Sequence, residues 1–512
     1  MRKALFAIFG MAAMFAACSQ TVSASSNDDE EKASATESSD SKGTGDGSSG
    51  SGSSEDVLDK DCVGEPGKPW DGTTAKEFAC GSGTKLSPYI ILTAEQLAKL
   101  AFIVGANEKE YEGKYYKLAA DIKLNDGKVI DDKGALVADS SKLHKWTPIG
   151  NSSVAFTGNF DGNGHTVSGM FINTTSSHNG LFGNSSGTVQ NVTVADSWVT
   201  GGSATAGVVG NNTGTLKKLS NKSSVISTTG PVGGVVGVST DTYGNVNLLD
   251  SLYNFGVIKG KNDVGGVLGN IDRIKLTHVE NHGLVEGEKY TGGIWGGANS
   301  TTVEASYLIN YGSIIGKTNT GGIAGYCGHH GIGSKYSAKC GVLSNVKNEG
   351  IIQGLSYVGG IVGSFGGKTS SASNIASILG NDYVGGLFGN VDYSTNSFLY
   401  NVGNVSGSRN VGGITGYNQE GVTNSAYSTG KVDGDSLVGL MIGYNYNTTM
   451  ADYYYLKQGD QEPFGQNNGG GVATPKTETE MKSADFAKLL GDDFVYDSGL
   501  NDGYPVLAWE KE

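Results

Sequence analysis

Residues 401–416 read NVGNVSGSRNVGGITG, and the same skeleton returns through the C-terminal half of the chain. With Asn counted as position 0, a small residue follows at +2, a β-branched aliphatic at +4, Gly at +6 and Val or Thr at +10. Gly-Gly then occupies +11 and +12, an aliphatic +13 and Gly +15. The frame starts at Asn254, Asn281, Asn310, Asn348, Asn374 and Asn401, and once more with Ser428 in the Asn place. Weaker copies lie at 179–184, 206–211 and 232–238. Successive copies are mostly 26 to 29 residues apart, a period that belongs to a repeat architecture rather than an ordinary globular domain.

The frame has a direct physical reading. An ordered block followed by a variable remainder suits a rung of short strands: one around +4, one from +10 to +15, and one in the remainder, as in 274–279 or 422–427. Glycines at +6, +11 and +12 fit corners where the backbone needs positive φ or close approach to the next rung. Residues at one frame position stack about 4.8 Å apart in such a coil. Asn254, Asn281, Asn310, Asn348, Asn374 and Asn401 are therefore expected to form a hydrogen-bonded ladder at a turn. Ile258, Val285, Ile314, Ile352, Ile378, Val405 and Val432, all at +4, are expected to form an aliphatic core stack. Sugar binding is the rival role for the Asn column; a fixed turn position in every rung is what stacking demands. The fold class expected is all-β: a parallel β-helix or β-solenoid with rungs of about 27 residues, a small α/β N-terminal cap and a helical C-terminal cap.

A solenoid absorbs the 512 residues as one array, where a globular reading would need several domains. Gly accounts for 82 residues and Pro for only 8, without a Gly-X-Y period, which excludes collagen. The net charge is -14, or about -16 once Arg2 and Lys3 leave with a leader, and no basic patch stands out. Nucleic acid is therefore a poor partner.

Residues 1–17 read as a lipoprotein signal peptide: Arg2 and Lys3 supply the charged start, residues 4–15 an apolar run, and Phe15, Ala16, Ala17 and Cys18 resemble a lipobox. An ordinary Ala-x-Ala cleavage or a buried helix is the alternative. Cys18 is then the acylated first residue of the mature protein, and two or more acyl chains would hold it stably in a membrane. Residues 18–60, rich in Ser, Gly and Asp, lack large apolar side chains and are expected to form a flexible tether with a reach of roughly 35 Å. The localisation implied is the bacterial cell envelope, lipid-anchored at the outer membrane or cell surface.

The other four cysteines divide into Cys62 with Cys80 and Cys327 with Cys340, two local disulfide candidates in an oxidising compartment. Metal binding is the rival for the second pair because His329 and His330 lie between, but CGHHG lacks the spaced pairs of a structural zinc site. No cofactor is expected.

Residues 61–150 are read as the N-terminal cap, 151–456 as the solenoid and 457–512 as the C-terminal cap. Thr93 opens a helix with Gln96 in the capping-box place and Leu97, Leu100 and Ala101 on one face. Asp161, Gly162, Asn163 and Gly164 are expected to make a tight turn between two short strands. A helix at 477–490, carrying Met481, Phe486, Leu489 and Leu490, is expected to cover the open edge.

The run SPYIILTAEQLAKLA, then YYKLAADIKL, WTPIG, FTGNFDGNGHTVSG and GLFG, followed by VGGIVG-like cores, resembles bacterial surface proteins with GLUG repeats, which also occur beside the catalytic domain of immunoglobulin-A-cleaving metalloproteases. The similarity covers about 86–450, and NDGYPVLAW at 501–509 is similar to how such chains close. The resemblance implies a β-solenoid in an exported protein and no agreed activity.

Unequal spacing points to where function lies. From the +10 residue to the next Asn takes 16 or 17 residues in regular copies, but 19 after Thr291, 22 after Val232 and 28 after Thr320. The slack falls in one arc of the rung, and insertions in a solenoid often mark its binding face. The longest contains Tyr326, His329, His330 and Tyr336, a candidate binding loop or a neutral insertion. Tyr444, Tyr446 and 453–455 are further candidate contacts or edge packing.

Catalytic motifs are missing: HVENH at 278–282 has its Glu misplaced for a zincin, and neither a Gly-x-Ser-x-Gly elbow nor a phosphate loop occurs. The function expected is non-catalytic, a lipid-anchored surface solenoid for adhesion or for binding polysaccharide or a cell-surface protein. The alternative is a carbohydrate-active β-helix enzyme, a polysaccharide lyase or glycosidase, which would cluster acids such as Asp263, Asp272, Asp382, Asp392, Asp433 and Asp435.

Overall fold

The structure, a computed structural model, describes residues 62–241, 246–298, 302–328 and 340–511. The leader, Cys18 and the whole tether to residue 60 lie outside the described residues. Within them the chain winds into a parallel β-solenoid of about 13 turns with rungs of about 27 residues.

One turn shows the plan. In the turn of Asn281 the strands are Ile274–Asn281, Val285–Glu286, Lys289–Gly292 and Trp295–Ala298. Each pairs in parallel with its counterpart one turn on, so that Asn281 faces Asn310, Val285 faces Ile314, Gly292 faces Gly321 and Trp295 faces Ala324. The stretch expected as one strand from +10 to +15 is thus two, bent between Gly292 and Trp295. The bend turns both +13 and +14 inward: Ile294 and Trp295 are fully buried, as are Val267 and Leu268 one turn earlier.

The +4 residues are in register from Ile258 through Val285, Ile314, Ile352, Ile378 and Val405 to Val432, and all are buried. Asn254 Nδ2 donates to Asn281 Oδ1 at 2.8 Å, and the pattern continues through Asn310, Asn348 and Asn374 to Asn401. Each Nδ2 also donates to a carbonyl two residues on, such as that of Gly283 for Asn281 at 3.0 Å. The ladder starts one turn earlier than the frame suggests, at Asn221, whose Nδ2 donates to Asn254 Oδ1 at 2.9 Å.

Positive φ falls elsewhere than on the frame glycines. It falls on non-glycine residues at three columns: +9, with Asp263, Tyr290, Asn319, Tyr357, Tyr383, Asn410 and Leu437; -3, with Ser251, His278, Tyr307, Asn345, Ser371, Phe398 and Ser425; and +19, with Arg273, Tyr393, Glu420 and Asn447. A left-handed residue with a Cβ costs about 1 kcal/mol or more. The strand ladders on both sides over-determine these corners. The +11 and +12 glycines are instead required by close approach: a Cβ on Gly293 would overlap the carbonyl oxygen of Gly322 and Oδ1 of Asn310.

At the N-terminal end, the helix Ala94–Gly105 is capped by Thr93 and Gln96 and buries Leu97, Leu100, Ala101 and Ile103. These side chains join the same core as the solenoid. The parallel ladder also runs through the region read as a cap, from Tyr89 to Tyr116, Phe160 and Val189. Residues 161–164 make the tight turn between the short strands Asn159–Asp161 and Thr166–Ser168, with His165 N donating to the Gly162 carbonyl, and both strands pair in parallel with the long strand Thr188–Gly201.

The C-terminal helix is two, Glu478–Met481 and Ala484–Leu490, each with its own N-cap, Thr477 and Ser483. They pack on the outward face of the last turns, not across the open edge. Met481, Phe486, Leu490, Phe494, Tyr504 and Leu507 form a second core with Tyr400, Tyr427 and Tyr454, which stand one above another at -1. Tyr400 and Tyr427 stack with ring centroids 5.2 Å apart. The stacked rings give the segment a continuous apolar surface to bury its own side chains against.

Candidate functional site

The left-handed +9 corner presents its side chain outward, and three of its seven occupants are tyrosines: Tyr290, Tyr357 and Tyr383. The +16 position, on the following strand, brings Tyr326, Tyr417 and Tyr444 beside them. Tyr357 and Tyr383 stack at 4.8 Å and 7°, Tyr383 meets Tyr417 edge-on at 5.8 Å, and Tyr417 stacks on Tyr444 at 5.2 Å and 12°. Four tyrosines from four successive turns therefore make one continuous half-buried ribbon. Tyr290 and Tyr326 make a second, shorter piece at 5.1 Å. Burial pushes the Tyr357 and Tyr417 phenols above their ordinary value, so these two keep their O–H groups as donors. Tyr444 OH also accepts from Asn468 Nδ2 at 2.9 Å, and Tyr446 at the ribbon's end is 43% exposed.

No family model matches the chain. A stretch of 126 residues is 34% identical to a protein of Evansella cellulosilytica named as a candidate Gly-rich membrane protein, and covers 24% of this chain and 13% of that one. Another of 138 residues is 34% identical to halomucin of Haloquadratum walsbyi, and covers 26% of this chain and 1% of that one. The chain thus spans only a small part of these relatives. Among solved structures, a candidate immunoglobulin A1 protease from Bacteroides ovatus is similar at 17% identity and a TM-score of 0.30, over 84% of this chain and 95% of that one.

The residues singled out by the sequence are placed as follows. Cys62 is bonded to Cys80, and Cys327 to Cys340 with their Cα atoms 5.3 Å apart. The three long spacers all leave from the fourth strand of a turn and return at the first: from Val236–Thr240 to Asn247–Asn254, from Trp295–Ala298 to Glu304–Asn310, and from Ala324–Cys327 to Val342–Asn348. His329, His330 and Tyr336 lie outside the described residues. Tyr326 is 8% exposed, and burial, with Tyr290 and Asp392 nearby, holds its phenol well above the usual range. Tyr453, Tyr454 and Tyr455 are corrected from surface contacts to buried residues: Tyr453 faces the solenoid core and Tyr454 lies beneath the C-terminal helices. The ladder asparagines from Asn254 to Asn401 are fully buried and hydrogen-bonded to one another, which leaves their amides committed to folding.

The acids do not stack. Asp263 and Asp272 belong to the turn of Asn254, Asp382 and Asp392 to that of Asn374, and Asp433 and Asp435 to that of Ser428. Asp382 faces Arg409 across the ladder rather than another acid. Among the described residues, no three His, Cys, Asp or Glu side chains gather as a metal set.

Of the ribbon, the sequence reading names only Tyr444. Tyr357 and Tyr383 precede the Gly-Gly step and Tyr417 follows it, each alone in its stretch of sequence. Reading the aligned frame down its +9 and +16 columns is the signal that exposes them.

Proposed function

We propose that this chain is a non-catalytic, surface-associated β-solenoid that binds a polysaccharide along the ribbon of Tyr357, Tyr383, Tyr417 and Tyr444. The ribbon is the observation that carries this reading. It is rigid, because each ring is held by a strand on both sides, and it offers one ring and one hydroxyl per turn over four turns, two from +9 and two from +16, to a chain lying along it. Little side-chain entropy is lost when a ligand settles on it. The names of the relatives, a Gly-rich membrane protein and halomucin, support placement at the cell envelope. Lipidation at Cys18, in the lipobox-like Phe15-Ala16-Ala17-Cys18 step, would supply the anchor. The GLUG-repeat resemblance is part of the same proposal.

The test is binding of the full chain to a panel of plant and bacterial polysaccharides, with reducing ends assayed in parallel. Binding without product is expected, weakened at least tenfold in Tyr383→Ala and Tyr417→Ala. Released reducing ends would replace this reading with the carbohydrate-active enzyme, and unchanged binding in both variants would remove the ribbon from it.

A further inference from the structure

The outward -1 residues of the first strand column form the floor of a groove that the chain itself fills over its last turns. There Tyr400, Tyr427 and Tyr454 are the floor, and Phe398 at -3 and Val402 at +1 are packed along its two sides by the C-terminal lobe. Tyr427 OH donates to the Pro505 carbonyl and accepts from Asn501 Nδ2 at 3.1 Å. The lobe ends on the same floor: Glu510 accepts from Tyr400 OH at 2.8 Å and Ser373 Oγ at 2.8 Å, and lies 3.5 Å from Lys347 Nζ. Trp509 meets the ring of Tyr307 edge-on at 6.2 Å.

Beyond that point the floor continues in register through Ile309, Glu280 and Tyr253, none of which belongs to the apolar cluster the lobe forms, and the lobe's last contact is that of Trp509 with the Tyr307 wall. The walls there are aromatic. On the -3 side His278 and Tyr307 stack at 5.1 Å and 8°. On the +1 side Phe255, His282 and Tyr311 stack at 4.6 Å and 4.6 Å, with Lys222 Nζ over the Phe255 ring at 5.6 Å. Phe255 is 47% exposed and Tyr311 39%. Isolated apolar side chains on a surface are ordinary, but two aligned aromatic walls continuous with a filled interface are not.

We infer that this part of the groove, over the turns of Asn254, Asn281 and Asn310, docks a protein partner that presents aromatic side chains between the walls and a lysine or arginine to Glu280. The cis lobe shows the mode of recognition: apolar burial on the -1 floor, edge-on aromatic contact with the -3 wall, and one charge pair on the floor. In the filled part the floor charge is Lys347 and the docked charge is Glu510. In the exposed part the floor charge is Glu280, 2.8 Å from His282 Nε2, so the complementary docked group is a cation. The flank is distinct from the tyrosine ribbon, whose residues sit at +9 and +16, and it does not depend on the polysaccharide reading.

The experiment pans a displayed random dodecapeptide library on the full chain, with the double variant Phe255→Ser/Tyr311→Ser as counter-target, then measures selected synthetic peptides by fluorescence anisotropy. Peptides combining an aromatic residue with Lys or Arg are expected, binding at least tenfold more weakly to the double variant and several-fold more weakly to Glu280→Gln. Glu280→Gln and His282→Gln alter half-buried outward groups, remove no core side chain and serve if the double variant fails to fold. Failure to enrich any sequence, or selected peptides that bind wild type and all these variants equally, overturns the inference. Loss of polysaccharide rather than peptide binding on Glu280→Gln would also overturn it, and would assign the groove to glycan.

Discussion

Gly266 lies against Oδ1 of Asn281, the ladder residue of the following turn, so closely that a methyl on Gly266 would overlap that oxygen and the Gly293 carbonyl oxygen. The same pairing joins Gly234 to Asn254, Gly293 to Asn310, Gly322 to Asn348 and Gly360 to Asn374. It also ends in step. Gly413 faces the hydroxyl of Ser428, and where Tyr455 takes the ladder position one turn on, Leu440 takes that of the glycine. The Asn column and the second glycine of the Gly-Gly step are therefore one device: the carboxamide occupies the space that the missing side chain leaves.

Gly266→Ala and Gly293→Ala should each destabilise the solenoid by about 2–3 kcal/mol or more, since the new methyl displaces backbone rather than a pliable side chain. Gly105→Ala is the control. It ends the helix Ala94–Gly105 with no atom within 4 Å of the added Cβ, and should be neutral or stabilising by up to ~1 kcal/mol. Urea midpoints of the three variants check both statements.

Asn310→Ala removes the bonds to Asn281, Asn348 and the Gly312 carbonyl, each 2.8 Å, and strands two buried amide groups. A loss of about 2–4 kcal/mol is expected. Ser428→Asn acts in the opposite sense. Ser428 Oγ is buried without a partner, whereas an Asn there meets Asn401 Nδ2 and still faces a glycine, Gly413. A gain of about 1 kcal/mol is expected, read as a higher thermal midpoint.

Cys327→Ser/Cys340→Ser opens the base of the longest spacer. The bond spans a sequence separation of 13, for which chain entropy alone gives about 3 kcal/mol. The double variant, and wild type under reductant, should show proteolytic cleavage between 327 and 340 before any cleavage in the ladder turns. Limited proteolysis with mass mapping tests this.

High pH should release the C-terminal lobe before the solenoid unfolds. Burial, aided by Glu510, holds the Tyr400 phenol well above its ordinary value, and burial does the same for Tyr427. Lys347 is also raised: burial opposes its charge, but Glu510 and Glu349 outweigh it. All three groups have folded values above their unfolded ones, so their contribution is complete below about pH 10 and is lost as the pH climbs through the folded values. Trp509 emission should change in that alkaline window while far-ultraviolet circular dichroism is retained. A single transition of both signals would show that the lobe is not separable.

The Asn, +4 and glycine places were legible because each recurs at one frame position, and a stack needs the same residue type at every level. Asn221 escaped because Ser227 stands where its frame requires Gly. The bend inside the +10 to +15 stretch was not legible either: Ile294 and Trp295 are adjacent inward residues, which a period of two cannot describe. The left-handed corners do not fall on the glycines that favour them, since Tyr357 and His278 occupy two of them and the neighbouring ladders hold the backbone there whatever the residue's own preference.

The sequence by itself determined the period, the inward columns and the pairing of Asn with Gly, because these follow from one turn lying directly on the next. Only the tertiary structure decided which outward residues form surfaces. Tyr383 and Tyr417, or Phe255 and His282, are separated in the chain by a whole turn or more and come within about 6 Å only when the turns stack. The course of the C-terminal lobe was likewise a tertiary decision. Its apolar side chains could cover any exposed apolar surface, and the stacked tyrosines Tyr400, Tyr427 and Tyr454 exist as one surface only in the folded solenoid.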